Sequence, residues 1–349
     1  MLPQSKTDIS ENPNSMTTNL ARVAILLIGS AIVGLCPFAS TAQETLRIPY
    51  GVTTSLQHLP ILVGKDSGLF AKYGLNVEPI HIRGGALITT MIMSGTVQFS
   101  GAGAESVVAA RMEGGDVALI GCPADTDVVY FVARPEFKNA ASLKGKSSGV
   151  TRLGSTTHFY LRTALRSLGL DPEKDMTILQ LGGGAEITAA MRSGRVAAAA
   201  LPLRNTYALI QMGWPVLVDL STPNFIYPSS CVTTSRAFIK SNPAAVERFL
   251  KAYIESTRLI KKDSALVEQV IKKWHRETDS VFIKKTVDVY ARIFKQVPYV
   301  SDQGLEIVLK ELSSRRPVSK EFFGKPELFR DHSPLEKIAR EGWIERLGQ

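Results

Sequence analysis

The chain has 349 residues, 44% hydrophobic and 21% charged, with a formal net charge of +9. This is ordinary globular composition, which excludes disorder as the dominant state and gives enough length for two compact bodies or one body with two lobes. Lysine and arginine are spread among acidic residues, without a block of like charge or a basic stripe interleaved with aromatics. The charge therefore reads as a solvated, mildly basic surface and not as a nucleic-acid or anionic-membrane footprint.

At the N-terminus, Arg22 precedes the uncharged run 23–35, followed by Pro37 and the small-residue stretch ASTA ending at Ala42. The run falls short of the ~20 residues a bilayer span needs. A basic residue, a short apolar core and a small-residue site make a secretory signal. Residues 1–42 are read as a signal peptide with an N-terminal extension, cleaved near Ala42, with Met16 the more natural start; a membrane anchor is the alternative. Lys6 and Arg22 in this segment balance Asp8 and Glu11, so its removal leaves the charge unchanged. Cys36 lies in the same segment. Export would permit Cys122 and Cys231 to pair, but two buried small hydrophobes are the competing reading. There is no CxxC or HExxH, and the five histidines show no metal-ligand spacing, so no metal is expected.

Beyond the signal, apolar runs alternate with helical patterns. LRIPYGV (46–52) reads as a strand, and 59–74 as one helix closed by Gly74, where a left-handed cap is wanted. NVEPIHI (76–82), VQFSGAG (97–103) and VALIGCP (117–123) are further strands, with helices over 86–95 and 105–115 between them. The stretch 129–146 reads as a connection. The pattern then returns: strands at 145–151, 176–183 and 196–202, with helices over 155–169 and 185–194. Residues 227–239 are strand-like again. Asn242 and Pro243 open a helix with Val246, Phe249, Leu250, Tyr253, Ile254 and Thr257 on one face.

The second half echoes the first. GGALITTMIMSGTV (84–97) and GGAEITAAMRSGRV (183–196) share Gly, Gly, Ala, Ile, Thr, Ser, Gly and Val in register at an offset of 99 residues. YGVTT (50–54) is echoed by SGVTR (148–152). A period near 100 is too long for a solenoid and points to two similar α/β lobes with mostly parallel sheets. We expect a signal at 1–42, the first part of lobe 1 over 43–135, an inserted lobe 2 over 136–228, and the return of lobe 1 with C-terminal helices over 229–349. Two crossings between lobes form a hinge.

In open α/β sheets, ligands bind beyond the carboxyl ends of the strands. Those ends are rich in Gly, Ser and Thr, which let backbone N–H groups approach a ligand, and each following helix adds a positive N-terminus. The candidate ligand-binding residues are Thr53, Thr54, Ser55 and His58; Arg83, Gly84 and Gly85; Gly103, Ala104 and Glu105; Arg152, Ser155, Thr156, Thr157 and His158; and Gly183 and Gly184. Ser155 is the expected N-cap, with Thr156 and Thr157 facing the cleft. Glu105 either complements its helix dipole or accepts from a donor on the ligand. Tyr50, Tyr130, Tyr207 and Tyr227 are candidate walls. Helix termini with Arg83, Arg152 and Arg204 nearby favour a ligand with an anionic or strongly accepting group. GKSSG (145–149), AASLKGKS (140–147) and GAGAES (101–106) mimic a nucleophile elbow, a phosphate loop and a dinucleotide fingerprint. Each lacks the strand–helix context or the glycine that its chemistry requires, and no Ser/His/Asp set is suggestively spaced.

PILVGKDSGLFAKYGLNVEPI, MIMSGTVQFSGAG, SLKGKSSGV and AAMRSGRVAAAALP resemble the ABC-transporter substrate-binding proteins of the nitrate/sulfonate/taurine and thiamine-precursor type, over most of residues 45–260. Gln98 and Ala197 depart from the aspartate often found there. The cysteine-rich motif of the fungal-type thiamine-pyrimidine synthases is absent. The resemblance implies a two-lobed periplasmic binding protein type II fold, α/β, acting in the periplasm as a monomer without cofactor. It would capture a small polar or anionic organic solute, such as a sulfonate, nitrate or a thiamine pyrimidine, by hinge closure and deliver it to a membrane permease with its ATPase. A cofactor-free biosynthetic enzyme on the same fold is the alternative.

Overall fold

A computed structural model describes residues 45–347 apart from 54, 223 and 224. The segment read as a signal at 1–42, and Thr54 among the candidate site residues, lie outside the described residues. In the first half, β1 (Leu46–Val52) leads through α1 (Leu59–Asp66) and α2 (Leu69–Lys72) to β2 (Leu75–His81), α3 (Gly85–Met93), β3 (Phe99–Ala102), α4 (Ala104–Met112) and β4 (Ala118–Gly121). The expected single helix over 59–74 is broken because Gly68 takes a left-handed conformation (φ 75°). Gly74, also left-handed at φ 67°, closes the second piece as anticipated.

The second half runs through β5 (Val129–Ala133), β6 (Lys146–Val150), α5 (Thr156–Ser167), β7 (Met176–Gln180), α6 (Gly184–Arg192), β8 (Ala198–Pro202), α7 (Leu203–Gln211) and β9 (Val216–Asp219). The chain returns with β10 (Cys231–Thr234), then α8 (Arg236–Ser241), α9 (Pro243–Lys262), α10 (Ser264–His275), α11 (Ser280–Ile293), α12 (Asp302–Ser313), α13 (Ser333–Arg340) and α14 (Trp343–Arg346). The face named for 243–262 is buried on α9, from Val246 to Thr257.

The strands form two five-stranded sheets, ordered β2-β1-β3-β10-β4 and β7-β6-β8-β5-β9. In the first, β1 runs parallel to β2 and β3, while β10 is antiparallel to β3 and β4. In the second, β6 runs parallel to β7 and β8, while β5 is antiparallel to β8 and β9. The sheets therefore repeat each other strand for strand, each with one antiparallel strand supplied by a crossing from the other half. The sequence repeat maps onto this: α3 and α6 begin at Gly85 and Gly184, and β3 and β8 follow each.

One reading needs correction. Residues 129–133 are not connection but strand β5, inside the second sheet, where Phe131 and Val132 are fully buried. The run VYFVA is β-branched and aromatic, and a strand buried on both faces shows no alternation to betray it. The crossings are thus residues 122–128 and 220–230. They lie side by side: the Tyr227 N–H donates to the Asp125 carbonyl at 2.8 Å, and a Cys122–Cys231 disulfide ties the end of β4 to the start of β10. The cysteines are paired, which settles a question the sequence left open.

One hydrophobic core passes between the two halves. It joins Val107 and Val108 of α4, Leu161 and Leu165 of α5, and Leu305 and Leu309 of α12. No helix among the described residues is long and apolar enough to cross a membrane.

Candidate functional site

Between the two sheets lies a cavity of about 220 Å³, lined from both sides at the strand ends. Ten predicted residues meet there: Thr53, Ser55, Arg83, Gly84, Gly85 and Gly103 from the first half, and Thr156, Thr157, Gly183 and Gly184 from the second. The N-termini of α3, α4, α5 and α6 converge on it from the two halves. Each begins at a Gly or Ser that makes no side-chain cap. Uncapped helix starts concentrate partial positive charge and leave first-turn N–H donors available, apart from Ala104 of α4, whose N–H is taken by the Pro228 carbonyl.

Glycine lets the two halves approach. A Cβ placed on Gly103 would sit 2.0 Å from Thr156 Oγ1 and 2.7 Å from the Tyr227 hydroxyl. Gly84 is left-handed at φ 92°, against Thr151 and Arg152 of the facing half. Across the mouth, Arg83 pairs with Glu186 at 3.4 Å, and Arg152 Nε donates to the Arg83 carbonyl at 3.3 Å. The Tyr227 hydroxyl donates to Thr156 Oγ1 at 3.3 Å.

Five predicted residues, His58, Ala104, Glu105, Ser155 and His158, stand behind the wall. His58 is 2% exposed, and its Nε2 accepts the Thr53 N–H at 3.0 Å. Burial, with His275 and His81 nearby, lowers its pKa to about 3, so the ring is neutral and acts by positioning Thr53. Ser155 occupies the N-cap position of α5 but caps nothing with its side chain. Its hydroxyl donates to the Arg152 carbonyl at 2.8 Å and meets Thr151 Oγ1, also at 2.8 Å. The Thr157 hydroxyl accepts the Thr151 N–H at 2.9 Å. The hydroxyl run therefore divides its work between bracing a turn and facing the cavity.

His158 Nδ1 accepts the Gly154 N–H at 3.0 Å, and burial beside Arg315 and Arg162 lowers its pKa to about 4. Ala104 is buried, with its N–H on the Pro228 carbonyl at 3.0 Å. Glu105 is wholly buried and bonds Arg315; burial raises its carboxyl to about 7 despite that guanidinium. It follows neither expectation alone, because its partner is a side chain of the C-terminal segment. Arg152 bridges the rim. Tyr50 and Tyr227 stack in the core on Phe249 and Phe159, Tyr207 packs on Phe282, and Arg204 turns to the His275 carbonyl, so none of them walls the cavity.

Sequence reasoning did not select Asp127, Thr151, Tyr160, Asn205, Ser229 and Ser230, which also line the cavity. The repeat could have found Asn205, since the end of β8 corresponds to the end of β3. Ser229 and Ser230 belong to the second crossing, and Ser230 holds a left-handed φ of 50°. Asp127, on the first crossing, is 2% exposed. Its carboxylate accepts from the Val128 N–H at 2.8 Å, the Tyr290 hydroxyl at 3.1 Å and the Tyr160 hydroxyl at 3.2 Å. Burial pushes its pKa up while these donors hold it back. Among the described residues, no group of three or more His, Cys, Asp or Glu is placed to hold a metal.

The family model described as NMT1/THI5 like matches residues 55–265, which include the lining residues other than Thr53. The chain belongs to the NMT1/THI5-like family. YtlA of Bacillus subtilis (strain 168), named as a binding protein, is 23% identical to this NMT1/THI5-like chain over 280 residues, covering 78% of this chain and 84% of YtlA. The nitrate-binding protein NrtA of Synechocystis PCC 6803 superposes with a TM-score of 0.74 at 13% identity, covering 85% of this chain and 89% of NrtA. The alkanesulfonate-binding protein SsuA of Xanthomonas axonopodis pv. citri gives 0.64 at 18% identity, covering 83% and 96%. At such identities the likeness is one of fold. It fits this NMT1/THI5-like chain to the periplasmic binding protein architecture.

Proposed function

We propose that this chain is the extracytoplasmic solute-binding protein of an ABC importer. It captures a small organic solute by closing two lobes over it, then presents it, as a monomer, to a membrane permease and its ATPase. The observation that carries the reading is the convergence of four uncapped helix N-termini, two from each half, on one cavity that the crossings enclose. Such a site is complete only when the halves meet, so a ligand that touches both favours the closed state. The lobes divide at the two crossings, and export places the protein in the periplasm.

The lining sets the solute's character. Helix starts and the hydroxyls of Thr156 and Thr157 suit an accepting or anionic group, as in a sulfonate, nitrate or a polar heterocycle. Asp127, an acceptor at the other side of the cavity, suits a donor on the same molecule. Ile82, Leu201 and Pro202 offer apolar contact to its body.

The test is to unfold and refold the mature chain, removing any carried ligand, and record thermal shifts against sulfonates, nitrate, thiamine pyrimidines and aromatic carboxylates. A solute at a hundred times its dissociation constant adds about 2.7 kcal/mol to the folded state. Mass spectrometry of the mixture should return it unchanged; conversion to product would replace binding with catalysis.

A further inference from the structure

Behind the α5 side of the cavity, six charged side chains meet where the two halves touch. α5, in the second half, brings Arg162 and Arg166, and Glu173 follows it. α12 and the residues after it, in the first half, bring Glu311 and Arg315, and α4 brings Glu105. Arg162 is 1% exposed and Glu311 7%, an unusual depth for either residue type. Arg162 Nε donates to Glu311 Oε1 at 2.5 Å, while Arg166 Nη1 bonds Glu311 Oε2 and Arg166 Nη2 donates to Ser314 Oγ at 2.7 Å. Arg162 also holds Glu173 of its own half, and Arg315 holds Glu105 of its own half. Of the three carboxylates in this cluster, Glu311 is the one that bonds guanidiniums of the opposite half.

The arithmetic of charge is complementary. The second half contributes two arginines and one glutamate, and the first half two glutamates and one arginine. The same two helices also build the cavity. α5 presents Thr156 and Thr157 at its N-terminus and Arg162 and Arg166 further along, while α4 starts beside Gly103 and carries Glu105 in its first turn. A shift of α5 against α4 and α12 moves the cavity wall and the charge contact together.

We propose that Glu311, with Arg162 and Arg166, is an interlobe clasp that fixes the closed register of the two halves before a ligand arrives. This goes beyond, and rests on, the reading of the chain as a binding protein that closes by hinge motion. The physical case is that a buried ion pair contributes little net stability, since desolvation offsets attraction, yet demands one geometry. The apolar core that joins α4, α5 and α12 beside these groups supplies attraction without direction, whereas the charged groups accept one geometry and are hydrated when they part. The clasp therefore specifies which closed state forms while adding little to its free energy, and the solute acts on that one state.

The experiment needs no ligand. Small-angle scattering and amide hydrogen exchange on the refolded mature chain would compare wild type with Glu311→Gln, Arg166→Gln and Glu173→Gln. Glu173→Gln removes a carboxylate from the same network but within one half. The clasp predicts a larger radius of gyration for Glu311→Gln and exchange about tenfold faster, equivalent to 1.4 kcal/mol, on the facing sides of α5 and α12. Arg166→Gln, which leaves Arg162 on Glu311, should give a smaller change, and Glu173→Gln should leave the radius at the wild-type value. Unchanged dimensions in Glu311→Gln, a wild type as extended as that variant, or equal expansion in Glu173→Gln would overturn the proposal. A positive result with a silent solute panel would separate failure of the proposed function from failure of the clasp.

Discussion

Gly103→Ala probes the closed site most sharply. Gly103 has φ −71° and ψ 144°, a conformation alanine adopts freely, so the backbone itself offers no objection. The new methyl would stand 2.0 Å from Thr156 Oγ1 and 2.7 Å from the Tyr227 hydroxyl, against about 3.4 Å or more for ordinary contact. Thr156 could rotate away, losing the 3.3 Å hydrogen bond from Tyr227 and its place on the cavity wall, at about 1 kcal/mol. Otherwise the halves stay apart, or the region is overpacked at about 1–3 kcal/mol. Thr156 belongs to the second half, so its share of the penalty falls on the closed state and appears as lost affinity of about 5- to 150-fold. The Tyr227 share falls on the crossing and lowers the melting temperature by a few degrees. Titration calorimetry with the solute found by the thermal screen, beside a melting curve, reads both. Wild-type affinity in Gly103→Ala would refute the claim that these residues meet across a closing cleft.

Thr157→Ala should cost about 1 kcal/mol in stability as well as affinity, because the hydroxyl also accepts the Thr151 N–H; denaturant melts separate the two effects. Asp127→Asn keeps the shape but weakens a buried acceptor of three donors, and should lower stability by about 1–3 kcal/mol in urea titrations. Reducing the Cys122–Cys231 bond, which spans a sequence separation of 109, should cost about 2–5 kcal/mol; equal melting with and without reductant would contradict this. Acid should destabilise the fold. His58, His158 and His275 have folded pKa values of about 3, 4 and 4, below their unfolded values, so their contribution is complete above pH 6.5 and is lost as pH falls toward 4. Glu105, raised to about 7, acts oppositely: its contribution is complete below its unfolded value and fades as pH rises through 7. His332, also lowered to about 4, adds to the other three, so between about pH 5 and 6 the histidines outweigh Glu105, unfolding takes up protons on balance, and stability rises with pH. Chemical denaturation at several pH values measures it.

The sheets' parallel strands were legible because each is an apolar run bounded by glycine and followed by a helical period, and because the repeat confirms the assignment twice. β5 was not, since VYFVA sits in an irregular stretch and its antiparallel place depends on the whole second sheet. Likewise, the glycine and threonine strand ends pointed to the cavity through backbone geometry that depends on local sequence. Asp127, Tyr160 and Ser230 did not announce themselves, because the crossings acquire their position only when both sheets exist. Ser155 holds the expected N-cap position, yet it, His58 and His158 stand behind the cavity wall for a related reason. A polar residue next to a binding loop can brace its backbone as readily as face the ligand, and spacing does not distinguish the two. Glu105 found its partner 210 residues away, a pairing no local pattern contains.

The most direct test of solute capture by closure is solution scattering of the refolded mature chain, with and without the solute that raises its melting temperature. Closure over a ligand predicts a smaller radius of gyration and a narrower distribution of interatomic distances with the solute present, reversed by Gly103→Ala. Identical curves at saturation, with binding verified by calorimetry, would contradict it and leave a rigid pocket in place of a hinge.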